Sequence, residues 1–269
     1  MNERDGYFYI ATTGQRDGMD VNNLFVLDKS LKETGKVTGF ARDESIRAVR
    51  YIADKAYVIT YEAIDPLFVI DLSDPAKPHI EGEVKIDGFS TLLVPVSKDT
   101  LLGIGYATGD NGYGGEFAAG LKLALFDISN PSEPKVIDSK EFENMNSPAQ
   151  DTHLALTVNS KEGWYAIPYE IYRYVEPEPL DGDDVIEDSE EGDAEVEIIE
   201  DDGATTDIFA EGDSYVENGV LVFSADGKIK VIDQHKLGKD FIYRSVYIDK
   251  YIYALNGDGE AASFIPGEK

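Results

Sequence analysis

Cysteine is absent from the 269 residues. Its absence excludes disulfides, thiolate nucleophiles and zinc–thiolate centres together. It leaves the compartment open, because a chain able to bury its own core needs no crosslinks in either redox environment. Histidine is nearly as scarce. His79, His153 and His235 stand on separate stretches with no second ligand at metal spacing, so scattered surface or strand histidines explain them better than a shared metal site. No apolar run approaches the ~18 residues that would span a bilayer, and no long segment carries a 3.6-residue apolar period. A soluble chain without membrane insertion and without a helical layer is therefore expected. Gly-x-Ser-x-Gly, the P-loop and His-Glu-x-x-His are all missing, so no catalytic residue is assigned. No charged and then apolar leader follows Met1, and Asn2 to Gly6 read as a polar lead into a strand.

Positive charge is also in short supply. Lysine and arginine number 24 against 53 acidic residues, a formal charge of −29. Nucleic acid and anionic membrane surfaces are thereby disfavoured as partners, since both are held by cations that neutralise phosphates. Much of the excess is local, with 15 acidic residues and no basic one between Glu176 and Asp202. Low hydrophobicity and unbalanced charge predict a disordered insertion over 176–215.

What is abundant is tyrosine and phenylalanine, 16 and 12 residues, as suits pleated surfaces. Short β-rich runs recur: Leu24-Phe25-Val26-Leu27-Asp28, Leu67-Phe68-Val69-Ile70-Asp71, Leu123-Ala124-Leu125-Phe126-Asp127 and, more loosely, Val220-Leu221-Val222-Phe223-Ser224. Their last residues are spaced by 43, 56 and 97, and a degenerate copy, Ala262-Ser263-Phe264-Ile265, lies 41 further on. A unit of roughly 40–45 residues made of strands and turns marks a β-propeller blade. The turn Ser73-Asp74-Pro75-Ala76-Lys77-Pro78 is matched by Ser129-Asn130-Pro131-Ser132-Glu133-Pro134. Both are outer connections, because proline cannot donate a ladder hydrogen bond.

The fold expected is all-β: four-stranded antiparallel blades, four to five in this chain, as part of a larger propeller. The units read as 7–41, 46–88, 89–143, 150–238 and 240–269. The first is expected to lack its innermost strand and the last its outermost. Residues 107–120 are expected to form a glycine-rich loop between the second and third strands of the third unit, and His153–Val158 to supply the first strand of the fourth.

Three groups of side chains could carry chemistry. Asp28, Asp71 and Asp127 at strand ends could converge on a channel mouth and bind a cation, or each could close an Asx turn onto the backbone, which is the simpler reading. Asp181, Asp183, Asp184, Glu187 and Asp188 offer enough carboxylate oxygen for weak calcium association, although the order of an EF-hand loop is absent. Trp164, Tyr165, Tyr169, Tyr172 and Tyr174 could form a sugar-stacking platform, but alternation along a strand points first to packing.

The pairing of Ile46-Arg47-Ala48-Val49-Arg50-Tyr51 with Asp65-Pro66-Leu67-Phe68-Val69-Ile70-Asp71-Leu72-Ser73-Asp74-Pro75, followed by Gly88-Phe89-Ser90-Thr91 and Leu101-Leu102-Gly103-Ile104-Gly105-Tyr106, resembles a family of secreted archaeal and bacterial proteins. These carry a C-terminal β-propeller distantly related to WD-40 repeats. The resemblance spans nearly the whole chain outside the acidic insertion. It implies a truncated chain and an extracellular or cell-surface location, and it carries over no functional residue. The leading expectation is a non-enzymatic interaction or scaffold module for a protein or glycan, with self-association at exposed blade edges. The alternatives are a carbohydrate hydrolase using paired carboxylates at the channel and a calcium-stabilised structural module.

Overall fold

The computed structural model describes residues 1–61, 65–110, 116–174 and 214–268. Two units emerge, one of Met1–Ile171 with Glu217–Lys269 and one of Tyr172–Val216. The second is described only at its ends, which belong to strands. The first unit is a succession of five antiparallel sheets in chain order.

Sheet one holds β1 (Asn2–Arg4), β2 (Tyr7–Arg16), β3 (Met19–Leu27) and β4 (Glu33–Phe40), and sheet two holds β5 (Ser45–Ile52), β6 (Lys55–Tyr61), β7 (Asp65–Asp71) and β8 (His79–Ile86). Sheet three follows with β9 (Phe89–Pro95), β10 (Thr100–Asp110), β11 (Glu116–Asp127) and β12 (Lys135–Glu143). Sheet four contains β13 (Met145–Asn146), β14 (Thr157–Asn159), β15 (Trp164–Tyr174), β16 (Ser214–Ala225) and β17 (Ile229–Gly238). Sheet five is β18 (Ile242–Ile248), β19 (Tyr251–Asn256) and β20 (Ala261–Phe264). Each sheet is a meander, as short connections between antiparallel neighbours dictate.

Three expectations are corrected. The first unit does have an innermost strand: Asn2–Arg4 pairs with Tyr7–Tyr9, turned by Asp5 and Gly6, both at positive φ. Its polar side chains hid it, because an inner strand exposed on one face carries no apolar alternation. Residues 107–110 and 116–120 are not loop, since β10 and β11 stay paired to Asp110↔Glu116 beyond a register shift at Ala107. Gly109 and Gly120, which look like loop residues, sit in this ladder, and 111–115 lie outside the described residues. The first strand of the fourth unit is broken: β13 and β14 both pair with β15, and two 3₁₀ turns, Pro148–Gln150 and His153–Ala155, lie between them.

Alternation decides the packing. In β3, Leu24 and Val26 point to the buried side while Phe25 and Leu27 are half-buried, as a period of two requires. Four clusters of buried side chains join successive sheets. Tyr9, Leu24 and Val26 meet Val58 and Ile70; Ile59, Leu67 and Val69 meet Leu101, Ala124 and Phe126. Leu102, Leu123 and Leu125 meet Ile167, Leu221 and Phe223, and Val220 and Val222 meet Ile252 and Ala254. Each fully buried aliphatic or aromatic side chain stabilises by about 1.5–3 kcal/mol before chain entropy is subtracted.

Buried polar groups tie connections to the sheets. Asn22 Nδ2 donates to the carbonyls of Ala41 at 2.9 Å and Glu44 at 2.8 Å, and Asn218 Nδ2 donates to the Lys239 carbonyl at 2.9 Å. The two asparagines stand at the same offset before Asp28 and Ser224. Both therefore hold the entry into the next sheet.

Candidate functional site

The motif Leu101-Leu102-Gly103-Ile104-Gly105-Tyr106 is where local sequence builds a site. A Cβ on Gly105 would overlap the carbonyl oxygen of Phe89, so only glycine lets the start of β9 approach β10 this closely. The register shifts at this point, and Phe89 comes opposite Tyr106. Their rings stack at 4.9 Å, and Tyr61 at the end of β6 stacks on the other face of the row, 4.2 Å from Phe89. The Arg47 guanidinium lies 5.7 Å from the ring centres of both Tyr61 and Phe89. Sheets two and three thus share a three-ring ladder with a cation against it.

Tyr106 also forms one wall of a cleft of about 320 Å³. The rest of the lining is Asn146, Ser147, Pro148, Gln150, Asp151, Thr152, Glu170 and Phe241. Tyr106 Oη donates to Asp151 Oδ1 at 3.2 Å. Burial, and then the adjacent Asp151 carboxylate, push the phenol of Tyr106 above its ordinary range.

The floor is a closed network. Ser147-Pro148-Ala149-Gln150 forms a capping box: Gln150 Oε1 accepts from the Ser147 amide at 2.7 Å and the Ala149 amide donates to Ser147 Oγ at 3.2 Å. Ser147 Oγ donates to the Pro168 carbonyl at 2.6 Å, and Gln150 Nε2 donates to the Gly105 carbonyl at 2.8 Å. Thr91 Oγ1 donates to the Gln150 carbonyl. One short turn therefore locks sheet three to sheet four. With Ser147 and Gln150 both buried, the network positions Asp151 and the cleft rather than offering itself to solvent.

The residues singled out in the sequence fall elsewhere. Asp28, Asp71 and Asp127 each close an Asx turn, accepting the amides of Ser30 at 2.8 Å, Ser73 at 2.7 Å and Ser129 at 2.9 Å. The Ser129 hydroxyl, and then its amide, lower the pKa of Asp127. Trp164, Tyr165 and Tyr169 are buried in the core and serve packing, Tyr172 is exposed, and the side chain of Tyr174 lies outside the described residues. His79 and His153 are exposed, while His235 stacks on Phe264 at 3.9 Å. Asp181, Asp183, Asp184, Glu187 and Asp188 lie outside the described residues. The cleft residues were missed, although Ser-x-x-Gln ahead of an apolar stretch is a legible capping signal. The pairing of Asp151 with Glu170 in one cleft has no such signal.

A family model described as "Beta propeller domain" matches residues 1–264. An uncharacterised protein of Methanocaldococcus jannaschii is 40% identical over 179 residues, covering 65% of this chain and 27% of the relative. An uncharacterised protein of Archaeoglobus fulgidus is 38% identical over 168 residues, 62% of this chain and 25% of the relative. The chain spans about a quarter of the length of these curated relatives.

Proposed function

The chain belongs to the beta propeller domain family, and from that premise we propose that it is a non-enzymatic interaction module which takes its ligand in the cleft beside Tyr106. One observation carries this: Tyr106, the last ring of the Tyr61–Phe89–Tyr106 ladder, lines the cleft together with Phe241 and several polar side chains, so aromatic and directed polar groups share one small volume. A rigid floor supports it, since a network that fixes Gln150 and Asp151 lowers the ordering cost of binding. The setting proposed is extracellular or at the cell surface, where such a module serves as a scaffold. Calorimetry against a panel of peptides and glycans tests the reading. Saturable binding that Tyr106→Ala weakens at least tenfold supports it; binding indifferent to Tyr106→Ala refutes it.

A hydrolytic reading draws on Asp151 and Glu170 lining the same cleft, since glycoside hydrolysis uses two carboxylates across a bond. Release of reducing sugar from the panel, abolished by Glu170→Gln, would place this second reading first.

A further inference from the structure

Taking the cleft as the ligand site, as proposed above, we infer that it receives a positively charged organic group: the side chain of a lysine or arginine in a basic peptide, held between the ring of Tyr106 and the carboxylates of Asp151 and Glu170. The lining contains two carboxylates and no lysine, arginine or histidine. Asp151 accepts from the Tyr106 hydroxyl, a neutral donor that leaves its charge uncompensated. Among the described residues no ion pair is made by Glu170 or Asp151.

The other end of the same ladder shows the chemistry already in use. There the chain's own Arg47 lies 5.7 Å from the rings of Tyr61 and Phe89, an attraction between a cation and the negative face of an aromatic ring. Tyr106 continues that row into the cleft. Phe241, half exposed at the cleft edge, adds a further aromatic surface.

Two considerations choose a cation over a neutral sugar or an anion. A neutral ligand would desolvate two carboxylates without any countercharge, whereas an ammonium or guanidinium supplies one with directed N–H donors. A formal charge of −29 attracts basic ligands at long range and repels acidic ones. The volume, about 320 Å³, lies at the small end of ligand pockets, typically ~300–1,000 Å³. It suits one side chain rather than a folded surface.

The experiment is calorimetry with a tetralysine peptide and the same peptide acetylated on every ε-amine. One-site binding by the first is expected, weakened at least tenfold by acetylation and at least tenfold by Asp151→Asn combined with Glu170→Gln. A control with Asp5→Asn and Asp17→Asn, both exposed, should keep full affinity. Peptide binding that survives the cleft substitutions, or falls equally in the control, reflects general charge attraction and overturns the inference. Neutral glycans that bind through Tyr106 while tetralysine does not would keep the cleft as the ligand site and reject the cation. If no probe binds in a way that depends on the cleft, both readings fall.

Discussion

Asp138 in β12 accepts a hydrogen bond from the amide of Ile229, 91 residues further along the chain, at 2.6 Å. Asp233 in β17 does the same for Gly267 at 3.0 Å. Both aspartates occupy one position of the repeat, opposite Leu125 and Val222 on the third strand. In sheets one and two that position is Gly35 and Gly82, opposite Val26 and Val69. A Cβ there would overlap the backbone of Pro75 or Pro131 in the next sheet's turn. Each outer strand thus receives its neighbour's turn, by close approach where the turn carries proline and by an acceptor where it offers an amide.

Gly82→Ala should therefore destabilise by about 1–3 kcal/mol, because the turn around Pro131 must move away. Asp138→Ala should cost about 1–3 kcal/mol by leaving the Ile229 amide without its acceptor. Urea unfolding midpoints at unchanged slope would measure both. A Gly82→Ala variant as stable as the parent would contradict the close packing.

Lys55 Nζ contacts both Asp71 and Glu81, the latter at 2.7 Å. Burial by itself would raise Asp71, but the bonds from Lys55 and Ser73 outweigh it and hold the carboxyl at about 2. For Lys55, burial pulls the other way from its partners, and Asp71 and Glu81 prevail, leaving it raised. A depressed carboxyl stabilises fully above its unfolded pKa and loses that contribution as pH falls through its folded value. Stability should decline between about pH 4 and pH 2 by on the order of 1–2 kcal/mol from this residue after allowance for solvent screening. The decline should flatten in Asp71→Asn, followed by chemical denaturation across that range.

Tyr51 packs between sheets one and two near Tyr9, their rings 6.3 Å apart. Burial pushes its phenol up to about 12, against a smaller lowering by the backbone of Ala11. The folded state holds this proton longer than the unfolded one. Its contribution is thus complete below about pH 10 and lost as pH rises toward 12. Several buried phenols, Tyr57, Tyr106 and Tyr165 among them, are raised with Tyr51, so tyrosinate absorbance should lose one late-titrating group in Tyr51→Phe while the others remain; an unchanged late titration would assign that group elsewhere.

Ser147→Ala removes the cap and the bond to Pro168, costing about 1–2 kcal/mol. Gln150→Ala also breaks the link to Gly105, so it should weaken cleft binding more than Thr152→Ala, whose hydroxyl caps only the next turn. Melting temperature and ligand affinity measured on the three variants would separate the two effects. Equal affinities would show that the floor does not position the cleft.

The repeated Leu-Phe-Val-Leu-Asp type run and the Asp-Pro and Asn-Pro turns were readable because each encodes a local rule: apolar alternation, then an Asx turn, then a proline that ends pairing. Strands with weaker patterns were not. β1 is three polar residues whose partner, not composition, makes it a strand. The paired ends of β10 and β11 contain Gly109 and Gly120, which local propensity assigns to loop. The cleft was invisible for a different reason. Tyr106, Asp151, Glu170 and Phe241 meet through sheets laid side by side, and nothing in their spacing encodes that.

Composition and periodicity alone settled that this chain forms successive antiparallel sheets, because a period of two and a recurring turn act within a few residues of each other. Which polar groups would face one another was decided only in three dimensions. Stacking sheet three on sheet four brings Gly105 to Gln150 and Tyr106 to Asp151, contacts across 45 residues each, and such long-range encounters depend on how whole faces bury apolar surface rather than on any neighbouring residue.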